Sequence, residues 1–175
     1  MAHEQLARAK WIETALKRYE QQLLRYVLRM TGDLESARDV VQDAFLRLCK
    51  EDLTKVEDHV AAWLYTVCRN RALDVRKKEG RMGRISDSSA VQDSALGPGE
   101  MVANKQTLGV VLEVIESMSE DHQEAFRLKF QNQLTYREIS EVMGKSLGTV
   151  SNLISTTLCA VRDRMKIEDK SRKEG

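Results

Sequence analysis

The chain is poor in the residues that punctuate sheets, staple small folds or span membranes. Among 175 residues there is one proline and there are nine glycines, too few breaks for a sheet-rich fold, so long helices are expected. The three cysteines, Cys49, Cys68 and Cys159, lie far apart and form no CxxC pair. That argues for reduced thiols, and against a disulfide framework or a zinc site. The histidines, His3, His59 and His122, are equally scattered, so no metal is expected. No window approaches a run of about 18 apolar residues, which excludes membrane insertion as an expectation. The start, MAHEQLARAKWIETALKRYE, is charged throughout and lacks the apolar core of a signal peptide. A soluble, cytoplasmic protein is the reading. Net charge is also missing: 28 Lys/Arg against 27 Asp/Glu leave +1, and no global pull toward nucleic acid or membrane. There is no nucleophile–base constellation and no phosphate-cradling glycine loop, so neither catalytic residues nor a cofactor are expected.

What is present is helix. From about Glu4 to Met30, residues Leu6, Ile12, Leu16, Tyr19, Leu23, Val27 and Met30 recur at helical steps. Gly32 is placed to end that helix and Asp33 to cap the next. LESARDVVQDAFLRLCK then presents Ala37, Val41, Ala44 or Phe45, and Leu48 on one side. After the polar connection EDLTKVEDH, a third helix is expected from about Val60 to Lys78. Residues 80–99 are rich in Gly, Ser, Asp and Ala and hold the single proline, Pro98, which marks a linker. MVANKQTLGVVLEVIESM resumes with an amphipathic helix, and SEDHQEAFRLKFQ follows with Ser119 as its cap. LTYREISEVMGKSLGTVSNLIS reads as a helix-turn-helix: Thr135 and Glu138 fit a capping box, Gly144 suits the sharp turn, and Ser146 caps the last helix. The basic tail after Lys166 is expected to fray. The predicted fold is all-α, two small helical domains joined by a flexible linker, the second containing the helix-turn-helix. The boundaries are 1–80, an acidic linker over 81–103, 104–168, and a tail over 169–175.

Charge is clustered rather than absent. Residues 69–84 hold seven Lys/Arg against two Asp/Glu, a local net of +5, and residues 85–103 hold three acids and no base. At about 100° per residue, Tyr65, Arg69 and Arg76 share one arc of the third helix. Trp63, Asn70 and Lys77 form a second stripe at heptad spacing. Aromatic rings interleaved with guanidinium groups suit single-stranded DNA, bases stacking on rings while cations follow the backbone. A core tryptophan beside a solvated basic face is the plainer alternative.

The last helix is the reverse case. From Ser146 to Val161 no residue is charged, although DNA-reading helices usually carry Lys or Arg because phosphate neutralisation supplies most of the affinity. Val150, Leu153, Ile154, Thr157, Leu158 and Val161 form one apolar arc that must face a core. Ser151, Asn152, Ser155, Thr156 and Cys159 lie opposite. Asn matches the adenine edge, and Ser or Thr bonds to several edges. Such a face can choose a sequence but supplies little grip.

Three blocks in this order, DLESARDVVQDAFLRLCK, AAWLYTVCRNRALDVRKKEGR and LTYREISEVMGKSLGTVSNL, resemble the extracytoplasmic-function sigma factors, the compact specificity subunits of bacterial RNA polymerase. The resemblance covers nearly the whole chain. It implies that Asp39, Gln42 and Asp43 dock on RNA polymerase core. It implies that the helix bearing Trp63, Tyr65, Arg69, Asn70, Arg76 and Lys77 melts the minus-ten region of promoter DNA and captures its non-template strand, in a pocket shaped partly by residues 51–59. Thr135, Tyr136 and Arg137 would meet phosphates of the minus-thirty-five element, with Thr149, Ser151, Asn152, Ser155 and Thr156 toward its bases. An anti-sigma factor is implied as the inhibitory partner. The departure from the family pattern is the bare recognition helix, where Lys and Arg are common in relatives. Two other readings remain open on the residues: a sigma-like interaction protein that has lost duplex reading, and a stand-alone helix-turn-helix regulator. The second has no need of a clamp-docking helix.

Overall fold

The computed structural model describes residues 2–81 and 101–174, and these form seven α-helices and two single-turn 3-10 helices, with no strand among the described residues. Most of the linker expected over 81–103, including Pro98, lies outside them. The chain divides into two compact units. One holds α1 (Ala2–Thr31), α2 (Leu34–Leu48) and α3 (Val60–Arg81). The other holds α4 (Met101–Glu116), α5 (Glu120–Phe130), the first residues of α6 (Tyr136–Met143) and α7 (Leu147–Glu174).

In the first unit each helix packs on the other two. Gly32 ends α1 with φ 75°, a left-handed conformation that costs glycine little, and its N–H donates to the Leu28 carbonyl at 2.8 Å. Asp33 then starts α2 by accepting the Ser36 N–H on Oδ2 at 2.7 Å. Leu23, Val27, Val40, Leu48, Leu64, Tyr65 and Cys68 form the core, each large apolar side chain contributing about 1.5–3 kcal/mol by leaving water. The expected stripe on α1 is only half realised. Ala15, Leu23, Tyr26 and Val27 are buried, whereas Leu6 and Leu16 are exposed. The buried residues of α1 begin at Ala15, so Leu6 lies before them and Leu16 stands at their margin. The polar connection expected between α2 and α3 has regular structure. It makes two 3-10 turns, Leu53–Lys55 and Glu57–His59, with Val56 buried between them.

In the second unit α7 packs on α4 and α5, around Val110, Ile115, Ala125, Leu128, Ile139, Val150, Leu153 and Ile154. Gln133 ends the α5 region at φ 58°, an uncommon place for a residue with a side chain. The Leu134 N–H reaches back to the Leu128 carbonyl at 3.0 Å to close that turn. Ser119 does occupy the N-cap position of α5, but its hydroxyl pairs with His122 Nδ1 at 2.8 Å and caps no backbone amide. The capping box on α6 is complete: the Thr135 N–H donates to Glu138 Oε2 at 2.7 Å and the Glu138 N–H to Thr135 Oγ1 at 3.2 Å. Past Lys166, where fraying was expected, α7 continues as helix to Glu174. No glycine or proline follows Gly148 until the last residue, so nothing in the backbone breaks it.

The Ser36 amide, the largest influence, holds the Asp33 carboxyl below its ordinary range. A depressed folded value means that the cap's contribution is present above the unfolded carboxylate value, about pH 4, and fades as pH falls through the folded one. Asp33→Ala is therefore expected to lower the urea midpoint at pH 7, and the gap to the wild type should narrow at pH 3. An equal gap at both values would remove the charge of Asp33 from the account.

Candidate nucleic-acid and protein interface

On α2, Asp39 and Gln42 are exposed. Asp43 is half-buried, and its Oδ2 lies 2.9 Å from Arg47 Nη2. That oxygen is shielded from water and makes no hydrogen bond, so charge alone holds the pair. Asp43 is thus less available to a partner than Asp39 or Gln42. Beneath it lies Cys68, whose thiol is pushed up to about 12, first by burial and then by the Asp43 charge. A thiol held protonated is chemically inert. Leu46, 54% exposed, extends the outward face one turn beyond Gln42. The sequence reading missed it, although a leucine that falls off the Val41–Ala44–Leu48 stripe was the available signal. The face therefore combines an acid, an amide and an exposed apolar side chain.

The two stripes on α3 have different fates. Tyr65 is fully buried and meets Tyr26 edge-on, with ring centroids 5.1 Å apart and planes at 72°. Leu64, Cys68 and Ala72 point the same way into the core. Tyr65 is thus a core residue and offers no ring to a base, which corrects its expected place in the DNA-binding set. Arg69 lies on the flank of that core side and is half-buried. Arg76, two turns further on, is exposed. The other stripe faces outward: Trp63 is half-buried while Asn70 and Lys77 are exposed. At 100° per residue Trp63 stands about 160° from Tyr65, so only one of the two could face solvent. Asp74, also exposed, falls between Asn70 and Lys77 on this outer stripe. The basic cluster continues past Arg81 to Arg84, which lies outside the described residues.

The connection that leads into α3 is held from several sides. The Thr54 N–H and O–H both donate to Asp52 Oδ1, at 3.2 and 2.8 Å. These bonds, before any influence of nearby cations, keep the Asp52 carboxyl below its ordinary range. Buried Val56 anchors the middle of the connection.

In the second unit Thr135, Tyr136 and Arg137 are all exposed at the start of α6. The Lys129 ammonium stands 5.2 Å from the centre of the Tyr136 ring and donates to the Leu134 carbonyl at 3.3 Å. The turn between α6 and α7 is tied by Ser140, whose O–H donates to the Lys145 carbonyl at 2.6 Å, and by an ion pair from Lys145 Nζ to Asp121 Oδ2 at 2.9 Å. Gly144 takes φ 62° there. Ser146 caps α7 by accepting the Thr149 N–H at 3.1 Å, and the Ser146 and Thr149 hydroxyls are 2.8 Å apart. Val150, Leu153, Ile154 and Thr157 face inward, Thr157 satisfying its hydroxyl on the Leu153 carbonyl at 2.9 Å. Leu158, expected in the apolar arc, sits at its edge and stays exposed. Ser151, Asn152, Ser155 and Thr156 lie together on the open face. The Thr156 hydroxyl lies 3.5 Å from Asn152 Oδ1 and biases the amide's orientation. Asn152 presents its amide on a face of small neighbours, as bidentate contact with an adenine edge requires. The cation just before this helix is already spent on Asp121.

Residues 15–82 match the description of sigma-70 region 2, and residues 108–157 that of sigma-70 region 4. The chain is 25% identical to the RNA polymerase sigma factor YlaC of Bacillus subtilis over 168 residues, 93% of this chain and 95% of that one. It is 29% identical to the ECF RNA polymerase sigma factor SigL of Mycobacterium tuberculosis over 145 residues, 80% of each. It is 27% identical to the ECF RNA polymerase sigma-E factor of Escherichia coli over 162 residues, 85% of this chain and 83% of that one. In fold it is similar to a sigma factor RpoE solved with the anti-sigma factor NepR from Bartonella quintana, with a TM-score of 0.59, 21% identity, and coverage of 90% of this chain and 98% of that one.

Because Tyr65 is core, Tyr65→Ala is expected to cost about 3–5 kcal/mol of stability, the usual range for deleting a buried aromatic. Urea unfolding checks this. A variant as stable as the wild type would place Tyr65 back on the surface set.

Proposed function

Since the chain belongs to the sigma-70 family, in its extracytoplasmic-function group, we infer that it directs bacterial RNA polymerase core to specific promoters and promotes DNA opening, with anchoring and selection assigned to different units. The observation that carries this division is the open face of α7, polar, exposed and without a charge from Ser146 to Val161. Docking belongs to the α2 face of Asp39, Gln42 and Leu46, with Asp43 at its margin, against a basic, partly apolar surface on core. Opening belongs to the outer stripe of α3, where Trp63 offers a ring, Asn70 an amide and Lys77 a cation to the non-template strand, while Arg69 and Arg76, on the other stripe, add cations from the flank and from the exposed end of the helix. Extruding a base costs a few kcal/mol, recovered through pocket and backbone contacts. The 51–59 connection, at the amino end of that stripe, contributes to the pocket.

Selection of the minus-thirty-five element belongs to α6 and α7. Thr135, Tyr136 and Arg137 position the unit on phosphates, and Thr149, Ser151, Asn152, Ser155 and Thr156 meet base edges. Grip is weak there by construction, and it need not be strong. Once the first unit is docked, the covalent linker makes the second encounter intramolecular, at an effective concentration of roughly millimolar. The protein brings no reaction of its own; the polymerase catalyses. It acts where core polymerase is, in the cytoplasm, and an anti-sigma factor holds it inactive until a signal arrives through that partner.

The decisive experiment is reconstitution with core polymerase and transcription from genomic fragments. Discrete start sites are expected; attachment to core without initiation would favour an interaction protein that has lost duplex reading. Asn152→Ala should alter preference within the upstream element by about 1–3 kcal/mol, read from promoter competition by the holoenzyme. An unchanged promoter profile would take Asn152 out of the reading face. Asp121→Asn should free Lys145 for a phosphate. The slope of log affinity against log salt for holoenzyme on promoter should then steepen by about 0.9, and an unaltered slope would mean that Lys145 does not reach DNA.

A further inference from the structure

Arg8 lies on the first turns of α1, before residue 15 where the match to sigma-70 region 2 begins. Its Nη2 donates to two main-chain carbonyls far along the chain, Cys49 at 2.9 Å and Glu51 at 2.6 Å. Both carbonyls belong to the exit of α2, where a helix leaves its last C=O groups without partners and carries partial negative charge. A planar, permanently charged donor suits that place. The next residue, Asp52, caps the first 3-10 turn through Thr54, and Arg8 is among the cations that bear on its carboxylate. The 51–59 connection is therefore clamped on one side by Arg8 and on the other by buried Val56, and it runs directly into α3, three residues before Trp63.

We propose that Arg8 is a positioning residue that sets the backbone of the 51–59 connection for base capture, so that discrimination within the minus-ten element depends on a side chain of α1 acting through that connection. This rests on the reading that the connection and the outer stripe of α3 receive the single strand. The apolar core does not need Arg8: along α1 it begins at Ala15. What Arg8 holds is the exit of α2, through hydrogen bonds to its carbonyls. Losing them frees a backbone segment without emptying a cavity, so the effect falls on geometry before it falls on stability.

The test uses holoenzyme formed with Arg8→Ala, with Arg8→Met, which keeps the stem of the side chain, and with Arg8→Lys. Each is assayed on a promoter recovered from genomic transcription, as duplex and with the minus-ten region already unpaired, carrying each base in turn at every minus-ten position. Attachment to core and upstream-element preference should be unchanged for all three. Arg8→Ala and Arg8→Met should lose about tenfold in open-complex formation on the preferred promoter, the scale expected for lost charged hydrogen bonds. Their preference among the four bases should flatten on the unpaired template as well. Arg8→Lys should recover part of that preference, since an ammonium can still donate to the two carbonyls. Unchanged base preference in the Met variant overturns the proposal, as does a loss that is uniform across bases and follows a fall in unfolding midpoint. If the wild-type holoenzyme opens no promoter, it is the underlying reading of the first unit that fails.

Discussion

The edge-on contact of Tyr65 with Tyr26 determines how α3 is rotated about its own axis, and the surfaces of the first unit follow from that rotation. With Leu64, Tyr65, Cys68 and Ala72 turned inward, the face that remains must carry Trp63, Asn70, Asp74 and Lys77. A rotation by half a turn would bury Trp63 and expose Tyr65, and the helix would then offer a different aromatic with different neighbours. T-shaped aromatic pairs add about 0.5–1.5 kcal/mol beyond their burial. That is modest, but it is directional, and direction is what the strand capture proposed for this helix needs. The same packing brings Cys68 beneath Asp43, where a protonated thiol occupies the core without competing chemically with the face proposed for docking.

The second unit solves a different problem. A helix-turn-helix must be stiff at the turn and legible on the recognition helix, and here two cations before that helix, Lys145 and Lys129, are used for stiffness. Lys145 is paired with Asp121, and Lys129 lies over Tyr136 and on the Leu134 carbonyl. Capping does the remaining work with neutral or local groups: the Thr135–Glu138 box and Ser146 with Thr149. The recognition face is consequently well placed and weakly attractive. Its neutrality is a property of how the local charges are spent as much as of the residues that line it.

Much of this was legible in the sequence because the signals were local. Gly32, Asp33, Thr135, Glu138, Gly144 and Ser146 act within four residues of themselves, and each performs the role its type suggests. The periodicity of α2 located its buried side for the same reason. Tertiary facts were less accessible. Both stripes on α3 were expected to serve DNA, and only the neighbour Tyr26 shows that the one led by Tyr65 turns into the core. The exposed state of Leu6 and Leu16 depends on where the other two helices cover α1, which no window on α1 reveals. The clasp of Arg8 on Cys49 and Glu51 spans more than forty residues, and a charged residue on an amphipathic helix gives no sign of such a destination. Ser119 shows the limit of a local rule: it stands at the cap position, but His122 competes for its hydroxyl.

Dividing anchoring from selection has an energetic consequence that a single tight DNA-binding domain could not reproduce. An effective concentration of roughly millimolar corresponds to about 4 kcal/mol, so a second unit with an intrinsic dissociation constant near millimolar is half engaged once the first is docked. At that working point a discrimination of about 1–3 kcal/mol per bidentate contact translates almost fully into occupancy, because the contact is neither saturated nor lost. Adding cations to α7 would raise affinity for every sequence alike, push the equilibrium toward saturation and blunt the difference between promoters. It would also make engagement of the second unit salt-dependent through counterion release. On the proposed division, a neutral reading face keeps selection on hydrogen-bond matching, while the salt-sensitive grip belongs to the basic end of α3 and to the polymerase. On this view the uncharged stretch from Ser146 to Val161 is a means of staying selective under tethering, and the cations were moved to where binding must be strong and need not choose.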